Sequence, residues 1–130
     1  AIARAGTILV CPSNPIVSIG PILAVRGVRD ALNAATAPIV AVSPIVSGAP
    51  IKGPAHTLMR AHDIEVSAPG VARFYSEWIG GFVFDEQDEA LQGEIEQLGL
   101  AATCLDTMMV DAAVSESVAR AALGVADRLR

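Results

Sequence analysis

TILVCPSNPIVSIGP, residues 7–21, decides how the rest of the chain is read. Thr7 to Cys11 is a short apolar run without polar alternation, the pattern of a strand covered on both faces. Residues 12–21 make an unusual strand exit. Pro12, Pro15 and Pro21 argue against a helix, while Ile16, Val17 and Ile19 argue against an ordinary surface turn. The stretch therefore reads as a stiff loop, anchored by its apolar residues, that holds Ser13 and Asn14 at the end of a strand.

Working outward, the same kind of run recurs. Strands are expected near 7–11, 38–42, 81–84 and 100–105. Helices are expected over 28–35, 54–62, 70–79 (after a Ser67 cap and Pro69), 86–98 and 114–129. Strands alternating with helices imply parallel pairing and helices on both faces. The fold class is thus α/β, a Rossmann-like three-layer α/β/α arrangement with a mostly parallel sheet, present as a partial domain over residues 1–130. Ala1 to Gly6 reads as the tail of a helix closed by glycine, which suggests a piece of a longer protein. No internal repeat or linker interrupts the pattern.

Composition narrows the function classes. The 130 residues are 52% hydrophobic and 18% charged, with a net charge of −5. Such a chain buries much of itself and has no basic footprint for nucleic acid. No apolar run reaches the ~18 residues of a membrane span, and the opening residues carry no signal-peptide pattern. Cys11 and Cys104 have neither CxxC spacing nor the density of a secreted scaffold, so a cytoplasmic setting is expected. Both read as small core residues near strand ends.

Ligands of open α/β sheets bind beyond the carboxyl ends of the strands. The second exit, Ser43 to Pro54, is long and stiffened by three prolines. It contains Lys52, the only lysine; the other eight basic residues are arginines. Lys52, the Ser43 and Ser47 hydroxyls and backbone N–H groups near Ser47 and Gly48 would suit a phosphate, just before a helix N-terminus. A stiff surface loop with a solvated lysine explains the same residues. Asp85 and Asp106 end the third and fourth strands, where each could hold a metal, accept a proton, or simply cap the next stretch of backbone. His56 and His62 have the wrong spacing for a shared metal and read as exposed. Phe74 and Trp78 read as core, and Met108 and Met109 as filler beneath the last helix. No serine or cysteine triad is supported.

Taken together, CPSNPIVSIGPIL, AVSPIVSGAPIKGPA, VSAPGVARFY and GFVFDEQD resemble the 2-phospho-L-lactate transferases (CofD, also called FbiA), in the family's order. The resemblance runs from about Ala3 to Met109. It implies magnesium-dependent transfer of a 2-phospholactyl or phosphoenolpyruvyl group from a guanosine diphosphate-linked donor. The acceptor is the hydroxyl of 8-hydroxy-5-deazariboflavin (Fo), GMP leaves, and the pathway is coenzyme F-420 biosynthesis. It further implies substrate binding by Ser13, Asn14, Pro15 and Ser18 at the first exit, by Ser43, Ser47, Gly48, Lys52 and Gly53 at the second, and by Asp106 and Thr107 at the fourth. It names no catalytic side chain here, and it places the Mg2+ ligands in an N-terminal half that this chain lacks, so the 130 residues alone are expected to be inactive. It allows a homodimer and implies no nucleic-acid or membrane partner. A nucleotide-sugar-binding regulator, like the gluconeogenesis-factor-like proteins of the same superfamily, is the alternative, with a compact interaction module as a third reading.

Overall fold

Val40, Ala41 and Val42 are sealed from solvent although their side chains point alternately to opposite sides. Only a strand sandwiched between two layers satisfies that pattern. In the computed structural model, which describes all 130 residues, this strand is β2 (Ile39–Val42). It lies in a four-stranded sheet with β1 (Ile8–Val10), β5 (Gly81–Asp85) and β6 (Ala101–Leu105). The spatial order is β1–β2–β5–β6, and every pairing is parallel. The expected α/β architecture and its four strands are therefore present.

One face of the sheet carries Ile39, Ala41, Phe82 and Phe84 into the larger core. That layer is closed by α1 (Gly20–Ala24), α2 (Val28–Asn33), α3 (Ala55–Ala61), α4 (Ala68–Tyr75) and α5 (Gln92–Glu96). The other face carries Val40, Val42 and Val83 against Val118, Ala122 and Val125 of α6 (Ala112–Arg128). Ser67 caps α4 as expected, its hydroxyl oxygen accepting the Gly70 N–H at 3.0 Å. His56 and His62 are exposed.

Several expectations are corrected. Residues 15–24 are helical: a π turn over Pro15–Ile19 runs directly into α1. Both inner prolines are tolerated because each opens a helical segment, where no backbone donor is needed. The π register sends the Gly20 N–H to the Pro15 carbonyl. Residues 45–50 form a hairpin of β3 (Ile45–Val46) and β4 (Ala49–Pro50), paired antiparallel. The opening residues make one 3-10 turn, Ile2–Arg4, capped by Ala5 rather than by glycine. Residues 86–98 are a 3-10 segment (Glu86–Leu91) joined to the short α5, with non-helical angles at Asp88. Phe74, Met108 and Met109 are about 40% exposed, so none of them fills the core. Cys11 is exposed and Cys104 half-buried on the sheet's last strand.

The close seat of α6 depends on Gly81. A Cβ there would stand 2.3 Å from Val125 Cγ1 and 3.2 Å from Val40 Cγ2, and neither β-branched side chain has a free rotamer to yield. Gly81→Ala should therefore cost about 2 kcal/mol, the range of overpacked cores. Urea unfolding would measure it; unchanged stability would mean that α6 shifts freely.

Candidate functional site

Parallel strands deliver all their exits to one end of the sheet, so the geometry there can be taken exit by exit. At the first, Asn14 caps the π turn. Its side-chain Oδ1 accepts the Ile16 N–H at 2.9 Å and the Val17 N–H at 3.2 Å. With Oδ1 so committed, the Nδ2 group is the part of the amide left to donate outward. Asn14 is half-buried, whereas Pro15 is buried.

At the second exit the serines are structural. Ser43 is fully buried; its hydroxyl donates to the Ile45 carbonyl at 2.9 Å and accepts the Ile45 N–H at 3.1 Å. Ser47 and Gly48 both have positive φ, 49° and 72°, and make the two-residue turn between β3 and β4. The Ser47 N–H donates to Asp88 Oδ2 at 3.0 Å, and its hydroxyl reaches Gln87 Oε1 at 3.3 Å. An anion at this turn would meet the Asp88 carboxylate. The phosphate cradle expected from Ser43, Ser47 and Gly48 is therefore not formed.

A cavity between the first two exits has a different lining. It measures about 360 Å3 and is lined by Pro12, Ser13, Asn14, Val17 and Ser18 on one side. Pro44, Ile51, Lys52, Gly53, Pro54 and Ala55 line the other. Of the residues expected from sequence, Ser13, Asn14, Ser18, Lys52 and Gly53 come together here. Pro15, Ser43, Ser47, Gly48, Asp106 and Thr107 do not line it. Lys52 is exposed, makes no ion pair, and is the one charged residue in a lining free of carboxylates. Gly53 has φ 72°, which turns the chain sharply after the lysine.

The third and fourth exits are tied to each other. Asp85 is fully buried, and its Oδ2 accepts the Thr107 N–H at 2.9 Å and the Thr107 hydroxyl at 2.8 Å. Its Oδ1 accepts the Gln87 N–H at 3.0 Å. Burial pushes this carboxyl up, but the bonds from Thr107 and Gln87 outweigh it and hold the group below the usual carboxylate range. Thr107 is buried and committed, which withdraws it as a ligand. Asp106 Oδ1 accepts the Met108 N–H at 2.9 Å and closes a local turn, whereas α6 is capped by Asp111. Burial, and then the charge of Glu89, push the Cys104 thiol up, away from the thiolate.

No three His, Cys, Asp or Glu side chains converge so as to hold a metal ion. The two strand exits facing each other across the sheet end offer neutral donors and one ammonium group. No helix is long and apolar enough to cross a membrane. Sequence reasoning missed Gln87 and Asp88, because acids after a strand look like helix-dipole partners. The hairpin that draws them inward has no signal beyond Ser47-Gly48.

Comparison with known proteins shows what the chain is similar to. The family profile described as "2-phospho-L-lactate transferase CofD" matches residues 1–122. A 2-phospho-L-lactate transferase of Methanosarcina barkeri is 42% identical over 129 residues, covering 99% of this chain and 41% of that protein. A phosphoenolpyruvate transferase of Kitasatospora aureofaciens is 43% identical over 131 residues, with 100% and 41% covered. A 2-phospho-L-lactate transferase of Methanosarcina mazei is 45% identical over 119 residues, with 92% and 39% covered. The chain thus spans about two fifths of the length of these relatives.

Asp85 supplies a test by pH. A carboxyl held below its ordinary value stabilises the fold above about pH 4, and the contribution is lost as pH falls through the folded value. Asp85→Asn should lower stability at pH 7 by about 2 kcal/mol, the worth of buried bonds to a charged acceptor. The gap to the parent chain should narrow as pH drops toward 2 in urea titrations; a constant gap would remove Asp85 as the acid-sensitive tie.

Proposed function

The chain belongs to the CofD family of 2-phospho-L-lactate transferases, and on that premise we propose that it forms the donor-diphosphate side of such an enzyme's active site. The single observation that carries the proposal is the convergence of Asn14 and Lys52 on one carboxylate-free cavity between two parallel strand exits. A diphosphate needs cations and donors, and it is repelled by carboxylates.

In this reading the donor is a guanosine diphosphate-linked phospholactate or phosphoenolpyruvate, and the acceptor is the Fo hydroxyl. The acceptor oxygen forms a bond to the phosphorus that carries the lactate or enolpyruvate C2 oxygen. The bond from that phosphorus to the bridging oxygen breaks, GMP leaves with the electron pair, and the hydroxyl proton passes to water. Such transfers depend on positioning and on charge neutralisation rather than on a nucleophilic side chain. Lys52 supplies one positive charge, Asn14 Nδ2 one fixed donor, and the Ser13 and Ser18 hydroxyls adaptable ones. The prolines around them limit the ordering entropy lost on binding. Relatives named for 2-phospho-L-lactate and for phosphoenolpyruvate share comparable identity with the chain. Either donor therefore suits a site that grips the diphosphate both have in common.

Two substitutions separate this role from scaffolding, measured by calorimetry with GDP and with the family's donor. Lys52→Met should weaken binding by about 1–3 kcal/mol, the scale of a charge-assisted hydrogen bond. Asn14→Asp keeps an N-cap acceptor but replaces the outward amide with a carboxylate. It should leave the melting temperature unchanged while weakening GDP at least as much as Lys52→Met does. Tight GDP binding by Asn14→Asp would overturn the assignment, and preference for UDP-sugars over GDP in the parent chain would favour a regulatory binding protein.

A further inference from the structure

Lys52 comes two residues after a hairpin whose own ladder is short. The β3–β4 ladder has two residue pairs, Ile45 with Pro50 and Val46 with Ala49. Pro50 has no N–H, and the Ile45 N–H is already given to the Ser43 hydroxyl. A two-stranded ribbon of this size has little stability of its own. Its base is anchored because Ile45 and Ser43 are buried and because the Ile51 N–H donates to the Pro44 carbonyl at 3.2 Å, which leaves the tip as the end that needs a tie. Its tip is anchored by one long-range bond, from the Ser47 N–H to Asp88 Oδ2 across 41 residues of sequence, with the longer Ser47–Gln87 contact beside it. Asp88 is 6% exposed and stands at the one residue where the segment after β5 departs from helical angles. That departure turns its side chain toward the hairpin instead of toward solvent.

We infer that Asp88 is a positioning residue: its carboxylate latches the hairpin tip, and the hairpin then fixes Lys52 and Gly53 against the Asn14 side of the cavity. The inference rests on the reading that Lys52 meets donor phosphate, and adds a residue that touches no substrate. Asp88 lies outside the cavity lining, so its charge is spent on a backbone amide and does not oppose an anion. The latch also joins the β5 exit to the β2 exit, as Asp85 joins the β5 exit to the β6 exit.

The test compares Asp88→Ala with Asp88→Asn, which keeps an oxygen able to accept the Ser47 N–H. Inorganic pyrophosphate serves as the probe, and amide NMR reports on residues 52 and 53. Asp88→Ala should weaken pyrophosphate about tenfold, the loss of one positioned charge-assisted contact. It should also lower the heteronuclear NOE of the Lys52 and Gly53 amides, while Asp88→Asn stays within about twofold of the parent. In a Lys52→Met background, Asp88→Ala should cost nothing further, because it acts through the lysine. Should Asp88→Ala fail to fold, Asp88→Glu, which displaces the carboxylate by one methylene, carries the same comparison. Additive losses, or unaltered dynamics at residues 52 and 53, would overturn the latch. A parent chain that does not bind pyrophosphate, with residues 52 and 53 still loosened by Asp88→Ala, would overturn the phosphate reading and leave the latch standing.

Discussion

A buried carboxylate with three donors around it holds the functional end of this sheet together. Asp85 leaves the central strand β5 and takes the Thr107 N–H, the Thr107 hydroxyl and the Gln87 N–H. An unpaired charge at that depth would cost several kcal/mol, so the loops must close around it or the strand end must open. Because they close, Gln87 and Asp88 are brought back over the second exit, where Asp88 captures the Ser47 amide. With the inferred latch, the position of the one lysine depends, two steps removed, on an aspartate outside the cavity lining.

The division of labour among polar residues arises from the same constraint. Strand exits in a thin α/β layer have many backbone groups to satisfy, and short polar side chains nearby are used for that first. Ser43, Asp85, Asp106 and Thr107 are consumed in this way. A ligand is left with the group each capping residue does not need: the Nδ2 of Asn14, whose oxygen serves the π turn, and the Lys52 ammonium, which has no partner in the chain.

The sequence disclosed the layers and the register of elements well, because buried strands and amphipathic helices write their periods in consecutive residues. Val40 to Val42 and the Val118–Val125 spacing needed nothing from elsewhere, although Ala122, not the Ala121 that the spacing favoured, lies buried between them. The cavity was half legible. Ser13, Asn14 and Lys52 stood out through proline stiffening and the rarity of lysine, whereas Ser43 and Thr107 looked equally polar and turned out to be committed to the fold. No local pattern separates a free hydroxyl from a bonded one when the partner is 22 residues away, as for Asp85 and Thr107. The helix over 15–24 was hidden for a related reason. Proline vetoes a helix only from its interior, and Asn14 and the π register place Pro15 and Pro21 at openings.

Lys52 has one more property, which comes from its solitude. It carries the only side-chain amine in the molecule, and it is exposed beside the cavity instead of being paired. Amine-directed chemistry, whether reductive methylation with a carbon-13 label or acylation by a fluorophore, therefore addresses one side chain of these 130 residues besides the Ala1 α-amine, and that side chain lines the cavity. The eight arginines that supply the rest of the positive charge are inert to such reagents at neutral pH. The composition thus makes the cavity spectroscopically addressable without any engineered residue.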